Sequence, residues 1–338
     1  MIMKKRLALL LAAVLIMSSI AGCGTQSASS GAKTVDIELL GSSGTTHQVA
    51  VGVADIITNQ LDSYRMSATG TTNTAANMIA MKDKDANKAI YMGSYAAFVQ
   101  CQEGTVAFAD YGPDDRGRLI CAFSFGNNGL ITLDPNIKSI EDLDGKSISW
   151  DAEAVHTEHF RKVCEILGIN VDIKCLGFTD KYEALTDGLV DATYANFTGD
   201  SNTVMVPVTN LQEIMLTEDV YPISFPIELQ EQATQMLDAT WPYTATVASA
   251  GTVPDQPEFE LYGSASVILC CYEGADEDMI YAFTKTLCEN ADQLGNFDAS
   301  CKGLTPELMV SQLGDVTEDM IHPGALKYYK EAGLWPAD

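Results

Sequence analysis

The stretch Gly41-Ser42-Ser43-Gly44-Thr45-Thr46-His47-Gln48 combines small, hydroxyl-bearing and imidazole side chains in one short turn. Val35 to Leu39 precede it in alternating apolar and charged order, the pattern of a strand. Val49, Val53, Ile56 and Ile57 follow at helical spacing. Thr45 and Gln48 stand three apart, as in a capping box, which predicts a helix start at that point. A helix start carries unpaired N–H groups and the positive end of the dipole, so a strand, a Gly/Ser/Thr turn and a helix can hold a carboxylate or phosphate. Most such turns bind nothing, and this one alone does not establish a site.

Two further turns repeat the arrangement. Residues 63–68 read as a strand running into a turn with Asn73, Thr74 and Asn77. Residues 89–92 read as a third, ending at Gly93-Ser94. Three strand–turn–helix units place small polar groups at strand C-terminal ends, the edge where open α/β sheets bind ligands. Further along, Trp150, Asp151, Glu153, Thr157 and Asn196 fall at the ends of two more predicted strands.

Other constellations are weaker. His156 and His159 lie three apart on a predicted helix but lack further ligands, so surface histidines are the better reading and no metal is expected. There is no GxSxG elbow, and the acids Asp151 and Glu153 have no visible partner for acid–base work. Neither a catalytic residue nor a cofactor is expected.

The chain opens with a basic run, Lys4-Lys5-Arg6, followed by an apolar stretch from Leu7 to Ile20 that is too short to span a bilayer. The stretch ends in Ile20-Ala21-Gly22-Cys23, which resembles a bacterial lipobox and implies lipid on Cys23 and an extracytoplasmic, membrane-anchored location. Residues 1–22 are then a signal peptide, and 23–33, rich in Ser, Ala and Gly, a tether unable to build a core. Removing Lys4, Lys5 and Arg6 leaves 17 basic against 46 acidic residues, a charge of −29. That balance excludes nucleic acid as a partner and opposes long-range attraction of anions. The eight remaining cysteines lie mostly in apolar patterns and read as small buried hydrophobes.

The rest of the chain alternates strand and helix. Residues 119–133 form an apolar run that looks like a strand passing between lobes, and 264–271 look like the return crossing. Between them, residues 139–198 read as a second βα series, 221–257 hold several prolines without a clear period, and 278–294 read as a helix. No internal repeat is visible. These elements predict a two-lobed α/β protein: lobe one from 34–128, lobe two from 129–260, and a return through 261–338 that packs on lobe one.

The motif residues Asp142-Leu143-Asp144-Gly145-Lys146 and Asp187-Gly188-Leu189-Val190-Asp191-Ala192 resemble those of extracytoplasmic solute-binding proteins with hinged lobes. More specifically, His322-Pro323-Gly324-Ala325-Leu326-Lys327-Tyr328-Tyr329-Lys330-Glu331-Ala332-Gly333 is similar to the terminal signature of the TAXI family, the binding subunits of one branch of TRAP transporters. Thr71 to Asn77 and Gly41 to His47 fall where that family has T-x-x-S-x-x-N and G-x-x-G-T. The resemblance implies a type II periplasmic-binding fold and a monomeric receptor that closes on an amino-acid-like or carboxylate solute and delivers it to a TRAP permease. An exported enzyme or a solute sensor on the same scaffold is the alternative. The chain departs from the family at Trp150 to Glu158, where a glycine-rich turn is usual and only Thr157-Glu158 match. Trp150, Asp151 and Glu153 there suggest that lobe two meets a cationic group, with Trp150 offering a cation–π face.

Overall fold

The computed structural model describes residues 34–335, apart from 43–44, 152–153, 199–204, 238–245, 299–300 and 314–315. The expected signal peptide, Cys23 and the tether lie outside the described residues, as do Ser43, Gly44 and Glu153.

The chain begins with a βαβαβ series: β1 (Val35–Gly41), α1 (Thr45–Gln60), β2 (Tyr64–Gly70), α2 (Thr74–Met81) and β3 (Ala89–Ser94). Val49, Val53, Ile56 and Ile57 of α1 are all buried, as their spacing requires. The helix α3 (Tyr95–Glu103) then leads to the long strand β4 (Gly117–Thr132). A second βαβαβ series follows: β5 (Ser147–Asp151), α4 (Ala154–Leu167), β6 (Asp172–Leu176), α5 (Asp180–Thr186) and β7 (Ala192–Thr198). After it come β8 (Val206–Pro207), α6 (Thr209–Met215), β9 (Tyr221–Ile223), α7 (Ile227–Met236), β10 (Val247–Ala248) and β11 (Phe259–Glu260). The return strand β12 (Gly263–Tyr272) precedes α8 (Glu277–Glu289), α9 (Pro306–Ser311) and α10 (Pro323–Glu331).

Among the described residues one sheet holds ten strands, with the path β2-β1-β3-β12-β4-β7-β5-β6 and with β8 and β9 attached to β7 and β4. In the first series β2 and β3 run parallel to β1 on either side of it, and in the second β6 and β7 flank β5 in the same way. The two series thus share a topology that no sequence repeat announces. Antiparallel β12 and β4 join them, paired from Gly263↔Asn128 to Tyr272↔Gly117.

The core divides along those two strands. Leu119 to Phe123 and Val267 to Tyr272 pack with the first series, whereas Leu130, Ile131, Leu261 and Tyr262 pack with the second. Met279, Phe283, Leu287, Met309, Ala325 and Tyr329, from α8 to α10, return to the first core.

The motif of the last helix is a packing device. His322 caps α10, accepting the Gly324 N–H on Nδ1 at 3.2 Å, and Pro323 fills the first turn. A Cβ on Gly324 would stand 2.3 Å from the Glu277 carbonyl oxygen, so only glycine lets α10 meet the start of α8. The two acidic motifs are structural as well. Asp191 accepts the Ser147 N–H at 2.8 Å and its hydroxyl at 3.1 Å, and Asp144 accepts the Asn170 N–H at 2.9 Å. Both ties lie at the N-terminal ends of β5 and β6, opposite the strand C-terminal ends.

Two local expectations are corrected. The proline-bearing segment 221–257 contains α7, which packs on α4 through Leu229 and Ala233. His159 is not a surface histidine but fully buried.

Candidate functional site

In lobe one, the C-terminal ends of β1, β2 and β3 lie side by side, with Gly41 opposite Gly70. β1 sends its helix toward β2 while β3 lies on its other side, so the crevice between β1 and β3 is a topological switch point. A Cβ on Gly41 would come 2.8 Å from the Ala50 Cβ, so glycine brings the start of α1 close to the strand end. Ser42 is buried just beyond it, Thr45 and Thr46 open α1, and the His47 ring lies against Gly70. The His47 Nδ1 is buried and makes no hydrogen bond among the described residues.

The second turn is braced from within. Asn73 caps α2 by accepting the Ala76 N–H at 2.9 Å. Asn77 is fully buried; it donates to the Met92 carbonyl at 2.6 Å and accepts the Thr71 hydroxyl. The Thr71 N–H reaches the Gly41 carbonyl at 2.9 Å, which ties the second turn to the first. At the third turn Ser94 caps α3 through the Ala97 N–H at 3.3 Å, and Thr74 Cγ2 would stand 2.2 Å from a Cβ on Gly93. Asn73, Asn77 and Ser94 therefore use these polar contacts to set the geometry of the turns, and Gly93 gives α2 the clearance to touch β3.

In lobe two, Asn196 of β7 is a hub. Its Oδ1 accepts from Lys181 Nζ at 2.6 Å, its N–H donates to the Tyr182 hydroxyl at 3.0 Å, and its Nδ2 donates to Asn128 Oδ1 at 3.1 Å. Asn128 lies on β4, where its carbonyl accepts the Tyr262 N–H at 2.6 Å. Lys181 is fully buried, with Nζ 4.8–5.0 Å from the ring centroids of Phe178, Tyr182 and Tyr194. Its carbonyl accepts the Ser149 hydroxyl at 2.8 Å and the Thr193 hydroxyl at 3.3 Å. Sequence reasoning missed Lys181: a lysine in a short helix carries no signal of burial, and the rings that hold it come from both its own and a distant segment.

Trp150 requires a correction. It is fully buried, stacked on Phe160 at 4.5 Å and packed against Tyr194 and Tyr262 at 4.5 and 5.3 Å between centroids. Burying an indole among three rings gains more than exposing one face, so Trp150 belongs to the core and offers a ligand no cation–π surface. Thr157 is also buried, with Oγ1 3.9 Å from Cys175 Sγ. Asp151 is the last residue of β5.

A cavity of about 650 Å³ lies between the lobes. Gln48 of α1, Phe297 and Asp298 line it from lobe one. Gly177 to Asp180, Thr198, Pro207 to Asn210 and Gln212 line it from lobe two, at the ends of β6 and β7 and the starts of α5 and α6. The volume is that of a small-molecule site, and most of the polar groups lining it are uncharged. No group of three or more His, Cys, Asp or Glu suited to a metal occurs among the described residues.

Two βαβαβ lobes, joined by paired crossing strands with a cavity between them, define the two-lobed class of periplasmic solute-binding folds. The chain belongs to the NMT1-like family, which it matches over residues 41–333. Solved structures of the same fold include a protein described as a periplasmic transporter, 11% identical over 88% of this chain and 97% of that one, TM-score 0.53. MatC from Rhodopseudomonas palustris with bound malate is 12% identical over 84% and 96%, TM-score 0.54. A second R. palustris protein, solved with adipate, is 15% identical over 89% and 98%, TM-score 0.53.

Proposed function

We propose that this chain is an extracytoplasmic solute-binding receptor of the TAXI type that captures a small amino-acid-like or organic-acid solute and delivers it to a TRAP permease. Residues 1–22 direct export, lipid on Cys23 holds the protein at the membrane, and 23–33 tether it. Lobe one comprises 34–128 with the return segment 261–338, and lobe two 129–260. The crossings through β4 and β12 act as the hinge.

The observation that carries this reading is the cavity lined from both lobes beside the strand C-terminal ends, in a chain of this family. Gln48, in the first turn of α1 just after Gly41 to His47, meets the solute on the lobe-one side together with Phe297. Asn73, Thr74, Asn77, Gly93 and Ser94 hold that surface in shape. On the lobe-two side the solute meets Phe178, Thr179, Thr198, Val208 and Asn210, while Trp150 and Thr157 are buried in the core of that lobe.

A thermal-shift screen over amino acids, organic acids and amines tests the reading. One solute class should raise Tm in a concentration-dependent way. Small-angle scattering at saturation with that solute should then give a smaller radius of gyration. A screen without any stabilising solute would reject the receptor reading, and an unchanged scattering profile would reject the hinge.

A further inference from the structure

Resting on the receptor reading, we propose that Asn128 and Asn196 are positioning residues that couple the lobe-two wall of the cavity to the crossing strands. The link is an unbroken run of contacts. Gly177 to Asp180 line the cavity, and Lys181 follows them directly in the first turn of α5. Lys181 Nζ donates to Asn196 Oδ1 at 2.6 Å, and Asn196 Nδ2 donates to Asn128 Oδ1 at 3.1 Å. The Asn128 carbonyl accepts the Tyr262 N–H at 2.6 Å, one residue before β12 begins. Both crossing strands are thus reached from the wall. The first member sets the direction of the run. An ammonium only donates, so Asn196 turns its oxygen to Lys181 and its NH2 to β4, and Asn128 must offer its oxygen in return.

The place of Asn128 fits coupling rather than filling. On β4 the first core ends at Phe123 and the second begins at Leu130. Asn128 lies between them, in register with Asn196 of β7 and Gly263 of β12. It is buried, where an amide is stable only with its polar atoms paired. Neither amide is among the residues lining the cavity, so both act through Lys181. Lys181 in turn is fixed to the wall. Its N–H bonds the Gly177 carbonyl at 3.1 Å, and Phe178, which lines the cavity, lies under its ammonium at 4.9 Å from the ring centroid. A solute that shifts Gly177 to Asp180 therefore moves Nζ, and Asn196 passes the shift to β4. A second buried bond on β4 has no such route. Thr132 donates to the Asp191 carbonyl at 2.7 Å, beside the N-terminal ends of β5 and β7 and away from the cavity.

Amide hydrogen exchange on the full chain without solute reads the link directly. Asn128→Leu removes the acceptor at similar bulk and should speed exchange at the Lys181 and Tyr182 N–H groups, which bond the Gly177 and Thr179 carbonyls. Asn128→Asp keeps an acceptor for Asn196 and should leave that exchange native. Thr132→Val breaks the other β4 bond and should also leave the cavity wall unchanged. Melting curves establish that each variant is folded. Calorimetry with L-glutamate, L-arginine, succinate and malate reads the consequence for binding. Any of these probes that binds the native chain should bind Asn128→Leu about tenfold more weakly and Asn128→Asp as tightly as before. Native exchange at the wall in Asn128→Leu overturns the inference. So does equal acceleration by Thr132→Val, which would mark lost stability alone, and so does a probe that binds Asn128→Leu at native strength. If no probe binds and the broader screen is blank, the receptor reading falls, and the exchange result alone decides the link.

Discussion

The Tyr329 hydroxyl donates to the Ile120 carbonyl at 2.6 Å, joining the last helix to the crossing strand β4 across more than two hundred residues of sequence. Tyr329 is fully buried, and the neighbouring His322 N–H bonds the Leu119 carbonyl at 3.0 Å. The terminal motif thus clamps the lobe-one half of β4, the segment that must stay rigid for the crossing to act as a hinge. Tyr329→Phe keeps the ring and leaves the Ile120 carbonyl without this partner. It should cost about 1–2 kcal/mol in urea unfolding, with the slope against denaturant unchanged.

His159 makes stability depend on pH. Its Nε2 faces the Gln230 carbonyl at 3.1 Å, which only accepts, so Nε2 carries the proton and Nδ1 accepts from the Tyr262 hydroxyl at 2.9 Å. Burial lowers its pKa from the ordinary 6.5 to about 4. Between those values the unfolded chain binds more protons than the folded one, so stability falls as pH drops from 6.5 to 4 and the loss is complete below 4. The contribution is about 3 kcal/mol. Burial lowers His322 in the same direction, so part of the slope persists without His159. Unfolding measured from pH 7.5 to 4 should show a shallower fall for His159→Gln than for the native chain. Parallel curves would remove His159 as a cause.

Gly93 and Thr74 should behave as a coupled pair. Gly93→Ala places a methyl where Thr74 Cγ2 lies 2.2 Å away, a clash that costs about 1–3 kcal/mol. Thr74→Ser removes that methyl and keeps the hydroxyl. In a double-mutant cycle, adding Thr74→Ser to Gly93→Ala should recover most of the loss, and additive effects would show that the contact is not the source.

Anchoring is tested at Cys23. Cys23→Ala should move the domain from the membrane fraction to the soluble one without altering its melting temperature. A variant that stays in the membrane fraction would show that lipid on this residue is not the anchor.

The lobes were legible where local pattern and burial coincide. Val49, Val53, Ile56 and Ile57 share one face of α1 because that face packs on the sheet, so their spacing suffices. The small residues at the ends of β1, β2 and β3 mark tight turns in the sequence as in the fold. Long-range packing was not legible. Trp150 reads locally as a substituted ligand turn, yet Tyr194 and Tyr262, which enclose it, are far away in sequence. The buried state of Lys181 and His159 likewise depends on partners from distant segments. The shared topology of the two lobes left no trace because a βαβαβ path constrains only the spacing of apolar residues, not their identity. The cavity combines residues of lobe one with three separate parts of lobe two, around 177–180, at Thr198 and around 207–212, so no single motif announces it.

Seven thiols, at Cys101, Cys121, Cys164, Cys270, Cys271, Cys288 and Cys301, are buried in their reduced form. Burial pushes Cys101 and Cys164 up to about 11 and Cys288 to about 12, so at neutral pH these sulfurs are neutral thiols rather than nucleophiles. The packed fold is therefore their only shield against an oxidant. In an oxidising compartment the chain runs a race: it must collapse around these sulfurs before any two of them meet and cross-link. A substitution that slows folding without weakening the finished structure would then surface as mispaired, aggregated protein, and a reductant present during refolding would restore the yield.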